Sequence, residues 1–136
     1  MINDFQNLTD NNLIETDLCL IGAGAAGISI ANEFRNSNLN ICLLESGSFS
    51  LDQKTQELDD VENTGVPLDP SIITRLRVDG GTTNNWDGGW APFNEQDFMK
   101  REWIPYSGWP FGLKELEPFY KRATPACDLG NFLSDE

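Results

Sequence analysis

No histidine occurs in the 136 residues. That absence removes the commonest general base and metal ligand, so any group that moves a proton here is not a histidine of this chain. Positive charge is scarce as well. Nine Lys and Arg against 22 Asp and Glu leave a formal charge of −13, which argues against nucleic acid and anionic membrane surfaces as partners and describes a solvated acidic surface. Nothing approaches the roughly 20 consecutive apolar residues of a membrane span. The stretch from Met1 to Asn12 has neither a basic region nor a long apolar core, so no signal peptide is expected and a soluble cytoplasmic protein is the default. Cysteine is limited to Cys19, Cys42 and Cys127, an odd number without metal spacing. Cys19 and Cys42 fall inside two expected strands and read as small buried apolar residues, consistent with a reducing compartment. Ser29, Ser107 and the cysteines have no base nearby in sequence, and no repeat or low-complexity run is visible.

What is present is a glycine pattern in a specific setting. The apolar run Asp17-Leu18-Cys19-Leu20-Ile21 leads directly into Gly22, Gly24 and Gly27, followed by a helix-like stretch. A second apolar run, Ile41-Cys42-Leu43-Leu44, ends on Glu45. Strand, Gly-x-Gly-x-x-Gly, helix, strand and acid describe a Rossmann-like α/β nucleotide-binding βαβ unit. Gly22 permits the tight turn off the strand, Gly24 lets a diphosphate approach the backbone, and Gly27 lets the helix lie close on the sheet. The helix N-terminus, with Ala25 and Ala26 in its first turn, aims unpaired N–H groups and its positive dipole end at phosphates, which explains why no Lys is needed there. Glu45 at the tip of the second strand, with Ser46 after it, suits ribose hydroxyls and disfavours a 2′-phosphate, so FAD or NAD is expected and not NADP.

By length the chain is one domain, short for a complete dinucleotide enzyme. Residues 1–13 are expected to be a flexible lead-in, and residues 14–136 the amino-terminal part of an incomplete nucleotide-binding domain. Ala26, Ile30 and Phe34, with Ala31 beside them, give the first helix over Gly24 to Asn36 its sheet-facing side. Ser46 to Pro70 reads as a connecting excursion with a short helix around Thr55 to Val61. Leu113, Leu116, Phe119 or Tyr120, and Ala123 have helical spacing, with Pro118 expected in the first turn of a helix starting near Glu117.

A second glycine turn, Asp79-Gly80-Gly81, follows Ile72 to Val78 and suggests another backbone approach to the cofactor. Thr82, Thr83 and Asn84 after it are candidates for a donor-rich nest at a pyrophosphate or flavin edge; the alternative is an ordinary turn capped by Thr and Asn. Arg77 is a candidate for a phosphate or carboxylate partner, with a structural salt bridge as the equal alternative. The loops around Trp86, Trp90, Trp103 and Trp109 are expected to be irregular and anchored by packing of those rings, so only Trp86 joins the candidate site.

Three segments together resemble a known family. Thr16 to Gly27 with Leu43-Leu44-Glu45-Ser46-Gly47 looks like the amino-terminal FAD-binding segment of the glucose-methanol-choline (GMC) oxidoreductases. Arg75 to Asn84 resembles their second glycine motif, and Trp103 to Pro110 with Glu115 to Tyr120 is similar to the branch related to sugar and polyol dehydrogenases. The resemblance covers about Ile14 to Leu129. It implies FAD as cofactor, held by Gly22, Gly24, Gly27 and Glu45 on one half and by Gly80, Gly81, Thr82, Thr83 and Asn84 on the other. It also implies hydride transfer from a small-molecule alcohol or sugar to the flavin in a completed enzyme. Three departures stand out: Asp79 where an apolar residue is usual, Asn85 where this branch often has His, and Trp86-Asp87 in place of Asn-Gly. The family's late catalytic His and substrate domain have no counterpart here, so the chain is expected to be an amino-terminal piece that catalyses nothing alone, with a complementing carboxyl-terminal chain as its partner. The other readings are a flavoprotein reductase using NAD and a non-catalytic nucleotide-binding remnant.

Overall fold

The computed structural model describes residues 2–7, 13–86 and 88–129. The expected strands form where the apolar runs stand, as β1 (Leu18–Ile21) and β2 (Ile41–Leu44). They pair in parallel, Leu18 opposite Ile41 through Ile21 opposite Leu44. Polar residues just before the strands set this register: the Asn40 carbonyl accepts the Asp17 N–H and the Thr16 hydroxyl, while the Asp17 carboxylate accepts the Asn40 N–H at 2.8 Å. The crossover between them is helix α1 (Ala25–Glu33). The result is a mixed α/β chain with a two-stranded parallel sheet, an incomplete Rossmann-like unit.

Gly27 fixes how α1 lies on the sheet. A Cβ there would run into the Gly22 carbonyl oxygen and come within 3.4 Å of the Leu43 side chain. The side of α1 turned to the sheet is therefore Gly27, Ala31 and Phe34, all partly buried; Ala31 and Phe34 are as expected, while Gly27 takes the place expected of Ala26 and Ile30. Both of those are exposed, because the closest approach is set by the residue without a side chain. Since Leu43 faces α1, its ladder partner Leu20 shares that face, and Cys19, Ile21, Cys42 and Leu44 leave the sheet on the other. No described element covers that second face: Cys19 is exposed and Ile21 is 87% exposed. Cys42 and Cys127 are only partly buried. The expectation that Cys19 and Cys42 are buried is thus corrected, for want of a second layer of helices over the sheet.

Beyond β2 the chain forms α2 (Gln53–Gln56), a 3₁₀ turn Glu57–Asp59, α3 (Ser71–Thr74) and a 3₁₀ turn Gly81–Asn85. The helical stretch lies slightly earlier than Thr55 to Val61 because Asp52 caps it: its carboxylate accepts the Thr55 N–H and hydroxyl, each at 2.8 Å. Those bonds hold the Asp52 carboxyl below its ordinary value, with Lys54 acting in the same direction. A 3₁₀ turn, Phe5–Asn7, lies within the expected lead-in, of which residues 1 and 8–12 fall outside the described part.

The chain divides into two compact units, residues 1–87 and 88–136. The first buries Ala23 and Val78, the second Phe98. In the second unit α4 (Glu95–Phe98) precedes α5 (Leu113–Ala126). Phe98 stacks edge-on to Phe93 with ring centroids 5.9 Å apart and lies 6.0 Å from Phe111, which packs on Trp109. The anchoring expected of the tryptophans falls mainly to phenylalanine: Trp86, Trp90, Trp103 and Trp109 stay between 41% and 79% exposed, and the buried ring among the described residues is Phe98. Helix α5 begins at Leu113, not near Glu117, because the Glu115 carboxylate accepts the Gly112 N–H at 3.1 Å and closes its first turn. Pro118 consequently sits inside the helix, where it leaves the Lys114 carbonyl without its usual donor. The inward stripe is Leu113, Leu116, Tyr120 and Thr124, while Phe119 and Ala123 are exposed. No helix among the described residues is long and apolar enough to cross a membrane.

Candidate cofactor-binding site

The turn after β1 is built by one backbone bond and one left-handed glycine. Gly22 has φ 99°, a region closed to most side chains, and donates its N–H to the Leu44 carbonyl at 2.7 Å. That places Ala23, 3% exposed, in the angle between the strands. Ala23 then serves both neighbouring segments: its N–H is accepted by Glu45 Oε2 at 2.7 Å, and its carbonyl accepts the Gly80 N–H at 2.9 Å. A parallel bridge joins Gly24 to Gly80, and a second joins Ser48 to Val78. The two glycine segments, far apart in sequence, therefore lie backbone against backbone. Gly81 completes the approach, since a Cβ on it would lie 3.1 Å from the Gly24 Cα.

Gly24 caps α1 with φ −81° and ψ −176°, and no side chain caps that end of the helix. A Cβ on Gly24 would meet nothing within 4 Å. Its bare backbone is thus not required by packing within the chain; it leaves open space in front of the N–H groups of Ala25, Ala26 and Gly27, where the helix dipole favours an anion. A diphosphate fits this donor set, and the site holds no competing side-chain cap.

Glu45 stands at the expected strand tip, but its carboxylate also closes the corner. Besides Ala23, it accepts the Gly47 N–H at 2.8 Å and the Ser46 hydroxyl at 3.3 Å. Oε1 thus already accepts two bonds, and Oε2, which accepts one, has capacity for a further hydroxyl donor. Ser46 in turn accepts from Arg77 Nη1 at 3.0 Å. Arg77 pairs with Asp59 at 2.7 Å through Nε, so its guanidinium takes the carboxylate partner that was its structural alternative.

The side chains after Gly81 turn inward. Thr82 Oγ1 accepts the Leu76 N–H, Thr83 Oγ1 donates to the Gly80 carbonyl, and Asn84 Nδ2 donates to the carbonyls of Asp79 and Gly81 at 2.9 Å. Thr82, Thr83 and Asn84 thus shape the left-handed Gly80-Gly81 turn. Trp86 ends that turn and is half exposed. The Asp79 side chain is exposed.

One buried residue at this corner gave no signal in the sequence. Gln56, 5% exposed, accepts the Arg77 N–H at 3.0 Å and donates to the Arg75 carbonyl at 2.9 Å, so it holds the segment that delivers Val78 and Gly80. A glutamine in a short polar helix reads as solvated; only the fold shows that it faces unpaired backbone. Asp59, holding Arg77, was hidden in the same acid-rich stretch.

Comparison with known proteins gives one distant relation. The chain is 30% identical over 117 residues to paromamine 6'-oxidase of Streptomyces fradiae, a match that covers 76% of this chain and 21% of that protein. No protein-family model matches, and neither does a solved structure. The chain spans about a fifth of the length of the oxidase it resembles.

Proposed function

We propose that this chain is the FAD-binding part of an oxidoreductase of the GMC type, acting on CH–OH groups of alcohols or sugars. The distant likeness to an oxidase supports the general class. The observation that carries the finer reading is the meeting of the two glycine segments: Ala23 bonded to Gly80, and Gly24 bridged to Gly80, in front of an uncapped helix N-terminus. In this reading the N–H groups of Ala25, Ala26 and Gly27 hold the diphosphate, Glu45 takes a ribose hydroxyl on Oε2, and the Gly80-Gly81 turn borders the remainder of the cofactor. FAD supplies the hydride-accepting chemistry when bound. The chain contributes binding, orientation and a closed backbone corner. A proton acceptor for the alcohol is not a histidine of these residues, and a complementing polypeptide would bring that group and the substrate pocket.

A second reading, a nucleotide-binding module without catalysis, is favoured by the small core, in which Ala23, Val78 and Phe98 are the buried hydrophobic residues among those described. Titration of the chain with FAD, followed by flavin fluorescence and with NAD as competitor, tests the cofactor. Saturable binding of one FAD per chain is expected, weakened about tenfold or more in Gly24→Val, whose Cβ meets nothing within 4 Å in the fold and whose side chain would stand in the approach to the helix. Equal FAD binding by Gly24→Val would overturn the assignment. Preference for NAD over FAD would favour a different flavoprotein class.

A further inference from the structure

We propose that Cys19 and Cys42 form a two-thiolate site for a monovalent soft metal ion of the copper(I) kind. The two residues are direct partners in the parallel ladder, and neither is in a disulfide. Direct partners leave a sheet on the same face. That face is the one opposite α1, where Cys19 is exposed and Cys42 partly buried, and its other residues are the apolar Ile21 and Leu44. No carboxylate on these strand positions competes for the thiols.

The spacing selects the ion. Strands about 4.8 Å apart hold side chains standing side by side at about the same distance. A disulfide asks for a sulfur–sulfur bond of about 2.05 Å and Cβ atoms about 3.8 Å apart, closer than parallel neighbours stand without distortion. Two metal–sulfur bonds laid end to end span about 4.6 Å at the zinc–thiolate length of about 2.3 Å, and somewhat less for a two-coordinate ion, close to the strand spacing. A tetrahedral ion needs more ligands, and among the described residues no three His, Cys, Asp or Glu side chains converge. Soft thiolates with only two donors suit copper(I). Each thiol loses one proton, both sulfurs bond to the ion, and no electron is transferred. The site is independent of the glycine corner and does not rest on FAD binding.

The test uses the chain supplied with copper(I), without oxygen, against a colorimetric copper(I) chelator. One ion per chain is expected by native mass spectrometry. At one equivalent, Cys19 and Cys42 should both resist iodoacetamide while Cys127 is labelled as fast as in the metal-free chain; this footprint needs no variant. Cys19→Ser and Cys42→Ser should each lower retention against the chelator about tenfold or more, and Cys127→Ser should leave it unchanged. Protection of only one of the two thiols, retention by either variant at the parent level, or an ion bridging two chains would overturn the proposal.

Discussion

The two faces of the β1–β2 sheet carry similarly apolar side chains and end in different surroundings. Leu18, Leu20, Ile41 and Leu43 lie on the side covered by α1, drawn in by the bare backbone of Gly27, and all four are partly buried. Cys19, Ile21 and Leu44 on the opposite side are exposed. The corner at the carboxyl ends of the strands is different again, because Ala23, Glu45, Gly47 and Gly80 satisfy one another through directional bonds of 2.7 to 2.9 Å. Short polar contacts can thus be completed by neighbouring segments of one short chain, whereas burial of both faces of a parallel sheet needs a second layer. The candidate site draws on the first kind of interaction and so is well formed beside an open face.

The contrast can be broken at its tightest point first. Gly27→Ala drives a methyl group into the Gly22 carbonyl and should cost about 3 kcal/mol, seen as lost amide-exchange protection in β1 and α1. Next comes the corner's support. Gln56→Ala leaves the Arg77 N–H and Arg75 carbonyl without their partner and should cost about 1–3 kcal/mol, whereas Arg77→Ala, removing a partly exposed pair with Asp59, should cost about 1 kcal/mol or less; urea unfolding compares them. On the open face, Ile21→Thr should shift stability by no more than about 0.5 kcal/mol while lowering self-association in light scattering. A loss comparable to Gly27→Ala would mean that the face is covered after all.

The smallest effect is set by acidity. The Asp52 carboxyl is held below its ordinary value of 3.8 by the Thr55 N–H and hydroxyl. A lowered folded value means that the cap's contribution is fully present above the ordinary value and is lost as pH falls through the lowered one. Fraying of α2 below about pH 3.8, abolished in Asp52→Asn, is the expected result by NMR.

Strands, first helix and glycine turns were legible because they rest on local chemistry: apolar runs, a positive-φ turn, an acid at a strand end. The Gly80-Gly81 turn was legible as a second backbone approach, but its bridge to Gly24 is a long-range pairing that no local pattern specifies. On α1, the facing of Ala31 and Phe34 and the close approach at Gly27 were legible, whereas apolar periodicity also favoured Ala26 and Ile30, which that approach leaves exposed. Cys19 looked buried because a strand in a parallel sheet normally is; its exposure depends on elements that sequence periodicity cannot supply. Gln56 and Asp59 were invisible because their partners, the backbone of Arg75 and Arg77 for the one and the Arg77 guanidinium for the other, are brought to them by a distant segment. Pro118 misled in the opposite way, since Glu115 and Gly112 open the helix ahead of it.

Amide chemical shifts recorded during FAD addition test the central claim most directly, that the two glycine segments make one cofactor site. Ala25, Ala26 and Gly27 should shift together with Gly80 and Gly81 along one saturation curve, while Cys19 and Cys42 on the open face stay in place. Movement confined to one glycine segment, or centred on the open face, would contradict it.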